Sequence, residues 1–316
     1  MSAISILFIA LGLFTAYTLV VLVAGARRAR AEGERVAPTA SSALTGFVAN
    51  FFDTLGIGSF APTTAILRTF KLAKDEQIPG TLNAGYALAA LFQSFLFIGA
   101  VDVDPTTLIL MIGAAVLGAW VGAGLFSKWP RRNIQWGMGT ALLIAGCLFI
   151  YKNISGDPVG GMLIGLTGTR LLIALAGNFV LGVMMTIGVG LYAPCMLLVT
   201  MVGMNPTTAF PIMMGSCAFL MPIASARFVK EKAVNLPVTI GLALSALPGV
   251  WLAYKFFSGL DIATVRWLVA VVVLYTGIML LRTAMREPNE TIAAEAIAAE
   301  ARGISQDGPI DPPNTR

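Results

Sequence analysis

Few residues in this chain could do chemistry, and the most unusual of them sit in unexpected surroundings. Asp53 opens the stretch DTLGIGSFAPT (53–63), which carries glycines, hydroxyls and a proline inside an otherwise apolar region. A carboxylate within a membrane segment is a functional candidate by default, and Asp53 is a candidate for proton coupling. The chain has no histidine, so an imidazole base, ligand or pH sensor is excluded. Cys147, Cys195 and Cys217 lie in apolar runs without CxxC spacing, so neither a disulfide framework nor a zinc site is expected. There is no GxxxxGK[ST] motif for direct use of ATP. Asp53 and Cys195 are the best candidates for a membrane-embedded enzyme, but they lack an orienting third group. The expectation is a protein that is not an enzyme and needs no metal or cofactor.

The composition describes what must position these residues. Of 316 residues, 57% are hydrophobic and 12% charged, and mean hydropathy is +0.82. Soluble domains carry about 25% charged residues. The pattern predicts an all-α polytopic membrane protein, with its net charge of +5 reflecting cytoplasmic Lys and Arg rather than nucleic-acid binding. A retained N-terminal helix is expected over about 4–25. Further spans are expected at about 78–100, 106–126, 134–151, 207–228, 235–257 and 262–282. Two stretches, 43–70 and 171–203, are apolar but broken by Gly and Pro.

Those two stretches repeat each other. Thr54, Gly56, Gly58, Ala61 and Pro62 match Thr186, Gly188, Gly190, Ala193 and Pro194, each pair 132 residues apart, and Pro79 and Pro211 keep the offset. Trp120, Phe126, Ser127, Trp136 and Gly146 then match Trp251, Phe257, Ser258, Trp267 and Gly277 at an offset of 131. The series marks an internal duplication. Four units follow: an N-terminal helix and basic loop (1–40), repeat 1 (41–152), repeat 2 (153–286) and a polar tail (287–316).

The loops at 26–35, 68–74, 128–132, 227–232 and 282–286 are basic, whereas 101–105, 153–160, 203–206 and 258–261 are poor in basic residues. If basic loops are cytoplasmic, the N-terminus lies outside and the C-terminus inside. Each repeat is then a re-entrant broken-helix hairpin plus three transmembrane helices, and the odd number inverts repeat 2 relative to repeat 1. Lys152, Arg170, Lys255 and Arg266 fall on the outer side as exceptions, explicable by snorkelling. The alternative makes each broken stretch a complete span, with parallel halves, and leaves either 26–35 or 68–74 outside.

Inverted repeats with interrupted helices point to a transporter site near the membrane midplane. Pro62 and Pro194 suit the first turn of a half-helix, where an N–H has no partner. Two half-helix N-termini facing each other would present free N–H groups and partial positive charge to a small anion. The expected binding residues are Thr54, Gly56, Gly58, Ser59, Pro62, Thr63 and Thr64 around the first turn, and Thr186, Gly188, Gly190, Tyr192, Pro194 and Cys195 around the second. Asn83 and Ser216, on the following spans, complete the set. Each hydroxyl taken singly also fits ordinary backbone bonding or helix packing.

The duplicated Gly-rich turn followed by Ala-Pro resembles the TauE/SafE family of sulfite-exporter-like permeases. So does the run GAWVGA (118–123) followed by the basic Lys128–Arg132 loop. The resemblance spans about 43–282. It implies a cytoplasmic-membrane permease for sulfite, sulfonates or related organic anions. The short GIG and GVG runs and the presence of Asp53 depart from the family pattern. The resulting expectation is a secondary transporter of a small anion by alternating access, driven by the anion's own gradient or by a proton or sodium ion as coupling partner, with lipid around it. The alternatives are a transporter of a different organic anion and a membrane scaffold without transport.

Overall fold

The computed structural model describes residues 3–125, 131–156, 160–186 and 190–286. Eleven α-helices make up the described chain: α1 (Ala3–Ala31), α2 (Ala40–Thr54), α3 (Phe60–Thr69), α4 (Ile78–Ala100), α5 (Pro105–Leu125), α6 (Arg131–Ile154), α7 (Gly168–Thr186), α8 (Tyr192–Met201), α9 (Ala209–Lys230), α10 (Leu236–Phe257) and α11 (Ile262–Arg286). Seven helices among the described residues are long and apolar enough to cross a membrane. The expected spans match helices to within a few residues, except that α1 runs on to Ala31; the seven include α7, expected as part of a broken stretch, while α5 counts among the shorter apolar helices. The tail expected at 287–316, and the Phe126, Ser127 and Lys128 positions used above, lie outside the described residues.

The breaks occur where the sequence placed them, but the half-helices begin earlier than expected. α3 starts at Phe60 and α8 at Tyr192, so Pro62 and Pro194 are the third residues of their helices rather than the first. The first helical bonds are Thr63 N–H to Ser59 C=O and Cys195 N–H to Leu191 C=O. A proline at the third position therefore still sacrifices no hydrogen bond. Both half-helices close alike: Lys71 and Gly203, 132 residues apart, take φ of 50° and 91°. Behind them Leu72 N–H bonds Leu67 C=O, and Met204 N–H bonds Val199 C=O, the six-to-one bond of a Schellman cap.

The packing echoes the duplication. α2 lies along α10 and α5 along α7, while α4 packs on α9 and α6 on α11. Exchanging each helix of repeat 1 with its equivalent in repeat 2 leaves this set of pairs unchanged. The agreement extends to single residues. A Cβ on Gly118 would strike the Phe179 carbonyl, and one on Gly249 would strike that of Phe47. Gly146 faces Leu274, as Gly277 faces Leu143. Along α6 and α11 the partners run in opposite order, Gly139 against Leu281 and then Gly146 against Leu274, so these helices are antiparallel. α4 and α9 are antiparallel too: Gly80 lies against Phe228, and Phe97 stacks on Phe210 with centroids 5.4 Å apart.

Loops gather into two groups at opposite ends of the bundle. At one end Asn235 Nδ2 donates to Leu72 C=O, Gln77 Nε2 to Val234 C=O, Lys232 Nζ to Glu32 Oε2 at 2.6 Å, and Arg132 Nε to Ala284 C=O. At the other, Asp104 N–H donates to Ile164 C=O, Asn205 N–H to Leu163 C=O, and Leu166 N–H to Thr107 Oγ1. The segment leaving α8 thus bonds to the segment leading into α7, so the two helices form a hairpin with adjacent open ends. The outer surface is apolar. Leu13, Val20, Trp120 and Leu172 are all more than half exposed, which suits contact with lipid. Trp251 is half exposed and carries Lys255 Nζ 4.9 Å above its ring.

Candidate functional site

The tips of the two hairpins meet inside the bundle. α2 ends at Thr54, and Gly56 and Gly58, with φ of 97° and 86°, turn the chain into α3. A side chain at either position would be strained, because positive φ brings Cβ against the backbone. At Gly56 it would also run into Met196 of α8. The first turn therefore rests against the second half-helix. Gly58 and Gly190 differ from Gly56: a Cβ there would meet nothing within 4 Å among the described residues.

A buried polar cluster joins the tips. Asp53, 8% exposed, accepts the Ser59 N–H at 2.6 Å on Oδ1 and Gln93 Nε2 at 2.9 Å on Oδ2. The hydroxyls of Ser59 and Tyr192 also face the carboxylate. Gln93, on α4 and fully buried, donates a second bond to Thr54 Oγ1 at 2.9 Å and accepts one from Tyr192 OH at 3.0 Å. Tyr192 is the first residue of α8. One amide thus connects the end of α2, the carboxylate at the start of α3 and the start of α8. Beside it, Thr63 of α3 and Tyr86 of α4 share a 2.7 Å hydroxyl–hydroxyl bond.

This differs from the expectation that both half-helix ends present free N–H groups. Ser59 is the N-cap of α3 and supplies no side-chain cap. The Asp53 carboxylate, six residues back near the end of α2, takes its N–H instead. A carboxylate at that position is stabilised by the partial positive charge of the helix end. At α8 the equivalent of Asp53 is Met185, which carries no charge and has its sulfur 3.8 Å from Cys217 Sγ.

The structure brings together Asp53, Thr54, Gly56, Ser59, Thr63 and Tyr192. Cys195 is fully buried on the first turn of α8, next to buried Pro194. Pro62 and Thr64 are half-buried on α3, and Gly58 and Gly190 sit at the tips. Ser216 bonds back to Ile212 C=O and lies 3.5 Å from Asn178 Nδ2, one residue from Cys217. Asn83 stands apart. It bonds Pro79 C=O and is ten residues, or about 15 Å along α4, from Gln93. Gly188 and the side chain of Thr186 lie outside the described residues. Sequence reasoning missed Gln93 and Asn178. Both are amides in apolar runs, and that contrast was the only signal available.

A bundle of apolar helices enclosing two broken-helix hairpins around a buried polar cluster defines a multi-pass membrane protein of the permease type. Its sequence matches the family described as Sulfite exporter TauE/SafE over residues 1–149 and 170–306. The chain belongs to that family of membrane permeases. No curated protein and no solved structure matches it.

Proposed function

We propose that the protein is a secondary transporter that moves a small anion, of the sulfite, organosulfonate or related sulfur-oxyanion class, across the cytoplasmic membrane by alternating access. The observation that carries this reading is the meeting of the two half-helix starts, Ser59–Phe60 and Tyr192, at one buried cluster, with no described atom within 4 Å of a Cβ placed at Gly58 or Gly190. Helix starts attract anions, and two of them entering from opposite sides give each side its own half of a shared site.

The opposed hairpins belong to an inverted repeat in this reading, with α1 as the extra N-terminal helix. Support comes from the antiparallel packing of equivalent helices, α4 on α9 and α6 on α11. The grouping of the loops around Leu72, Val234 and Ala284 at one end, and around Ile164 and Asn205 at the other, supports it too. The first group holds the basic loops and is the cytoplasmic side, with the C-terminus, and the N-terminus is outside. The hairpin α2–α3 then re-enters from the cytoplasm and α7–α8 from outside. The family's description as an exporter favours outward movement.

The test is flux in proteoliposomes with sulfite, sulfate, thiosulfate, methanesulfonate and small carboxylates. Movement of at least one sulfur anion, lost in the Gly58→Leu/Gly190→Leu double variant, is expected. No movement of any anion overturns the reading. For the topology, single cysteines at the exposed positions Lys71 and Ser155, in a chain whose own cysteines are replaced, are expected to label from opposite sides.

A further inference from the structure

The start of α3, where the transport reading puts half of the anion site, already holds a carboxyl group. Asp53 Oδ1 accepts the Ser59 N–H at 2.6 Å and Oδ2 accepts Gln93 Nε2 at 2.9 Å. Both donors are amide N–H groups, which cannot take a proton from the carboxyl. Both bonds are therefore strongest when Asp53 is ionised.

The groups around it do not balance that charge. Tyr86 of α4, Tyr192 of α8 and Cys217 of α9 feel the Asp53 charge, and all three are neutral acids. Neither arginine nor lysine contributes to its described surroundings. Arg68, at the last turn of α3, is nine residues from Ser59, about 14 Å along the helix. An arriving anion would meet a carboxylate already on the same N–H group, with no cationic side chain beside it in its described surroundings, and the two like charges repel.

We propose that Asp53 is a resident anion that the transported anion displaces, and that Asp53 takes up a proton to release the site, so that one proton travels with each anion. This rests on the transport reading above. The step balances simply. A proton from the side the substrate enters neutralises one Asp53 oxygen. The carboxyl gives up the Ser59 N–H and the substrate takes it. When the substrate leaves, the proton leaves to the same side and the carboxylate returns to Ser59. No electrons move, and for a singly charged substrate no net charge crosses the membrane. The α8 end has Met185 in the equivalent place and needs no such exchange, so the coupling belongs to repeat 1 alone.

The experiment uses the whole chain in liposomes containing the pH dye pyranine. The probes are labelled sulfate, thiosulfate and methanesulfonate, none of which takes up a proton near neutral pH. For a probe that exchanges, the inference requires interior acidification during uptake, with about one proton per anion. Methanesulfonate uptake should also be unchanged by a valinomycin-clamped potassium potential. Anion uptake without acidification overturns the proton inference and leaves the transport reading standing. Absence of uptake for every probe overturns the proton inference, and absence of uptake for sulfite and the small carboxylates as well refutes both. In Asp53→Asn the protons carried per anion should fall to zero, and a wild-type ratio in that variant also overturns the inference. The wild-type measurement decides even if the variant does not fold.

Discussion

Replacing Gln93 with leucine removes the amide that ties the two hairpin tips together while keeping a side chain of similar bulk. Three bonds go at once: to Asp53 Oδ2 and Thr54 Oγ1, each 2.9 Å, and from Tyr192 OH, 3.0 Å. The bond to the carboxylate is charge-assisted and contributes about 1.5–3 kcal/mol. Leaving the Tyr192 hydroxyl without that acceptor costs about 1–3 kcal/mol. Thr54 loses little, because its hydroxyl still donates to Asn50 C=O at 2.7 Å. Hydrogen bonds between membrane helices average only about 0.6 kcal/mol, since the unfolded chain also finds partners. The low ends of these ranges therefore apply, and the total is about 2–3 kcal/mol. The control is Asn178→Leu, another fully buried amide. Its Nδ2 donates to Met111 C=O at 2.7 Å and to Ser216 Oγ at 3.5 Å, but its Oδ1 has no partner among the described residues. Removing it relieves one unsatisfied group while losing one short bond and one long, weak one, for a net change within about 1 kcal/mol. Unfolding of detergent-solubilised protein can be followed with a thiol-reactive dye, because Cys195 and Cys217 are buried; exposed Cys147 is first changed to serine. Equal losses in the two variants would refute the assignment of Gln93 as the link between the tips.

Other expectations can be checked by the same assay. Gly118→Ala and Gly249→Ala each drive a methyl into a backbone carbonyl, of Phe179 and Phe47, which cannot move aside. Each should cost about 1–3 kcal/mol, and the two should agree, whereas Gly33→Ala, with nothing within 4 Å, should lose no packing and show only the strain of its φ of 79°. Lys71, at φ 50°, pays for an L side chain in the left-handed region; Lys71→Gly should stabilise by about 1 kcal/mol. The Lys232 hydrogen bond holds the Glu32 carboxyl below its usual range. The stability it adds is present above the ordinary glutamate range and is lost as pH falls through the lowered value. Lys232→Met should reduce that acid dependence of the thermal midpoint, leaving the smaller part due to Arg28, and about 1 M salt should mask it, because the pairs are exposed.

Most of the architecture could be read from the sequence because lipid imposes simple rules. Apolar runs of sufficient length become helices, and the ends of α4, α5, α9 and α10 lie within two residues of the expected spans. The duplicated Gly-x-Gly and Ala-Pro located both breaks. The exact start of each half-helix was not legible, because proline is tolerated anywhere in a first turn whose N–H groups lack partners. The expectation therefore put the starts two residues late. Asp53 stood out as a charge in an apolar run, but its partner did not. Gln93 has no equivalent amide in repeat 2, and its role depends on three helices converging, which no local pattern encodes. Asn83 lies close in sequence to a matched proline, Pro79, and along α4 that nearness sets its depth toward the loop rather than toward the tips.

The glycine–leucine matching of α6 with α11 has a bearing on ancestry. Gly146 against Leu274 and Leu143 against Gly277 are one contact written twice, as in an isologous dimer, where a surface recognises its own copy. A half-length chain carrying α2 to α6 would own both sides of that seam and of the α4–α9 seam. Two such chains, inserted into the bilayer in opposite senses, could close on each other without any new surface. Fusion through the segment before α7 would then have frozen the pairing and freed each half to diverge. Asp53 and Met185, 132 residues apart, are the kind of difference such divergence would leave behind: of two equivalent positions, only one carries a charge.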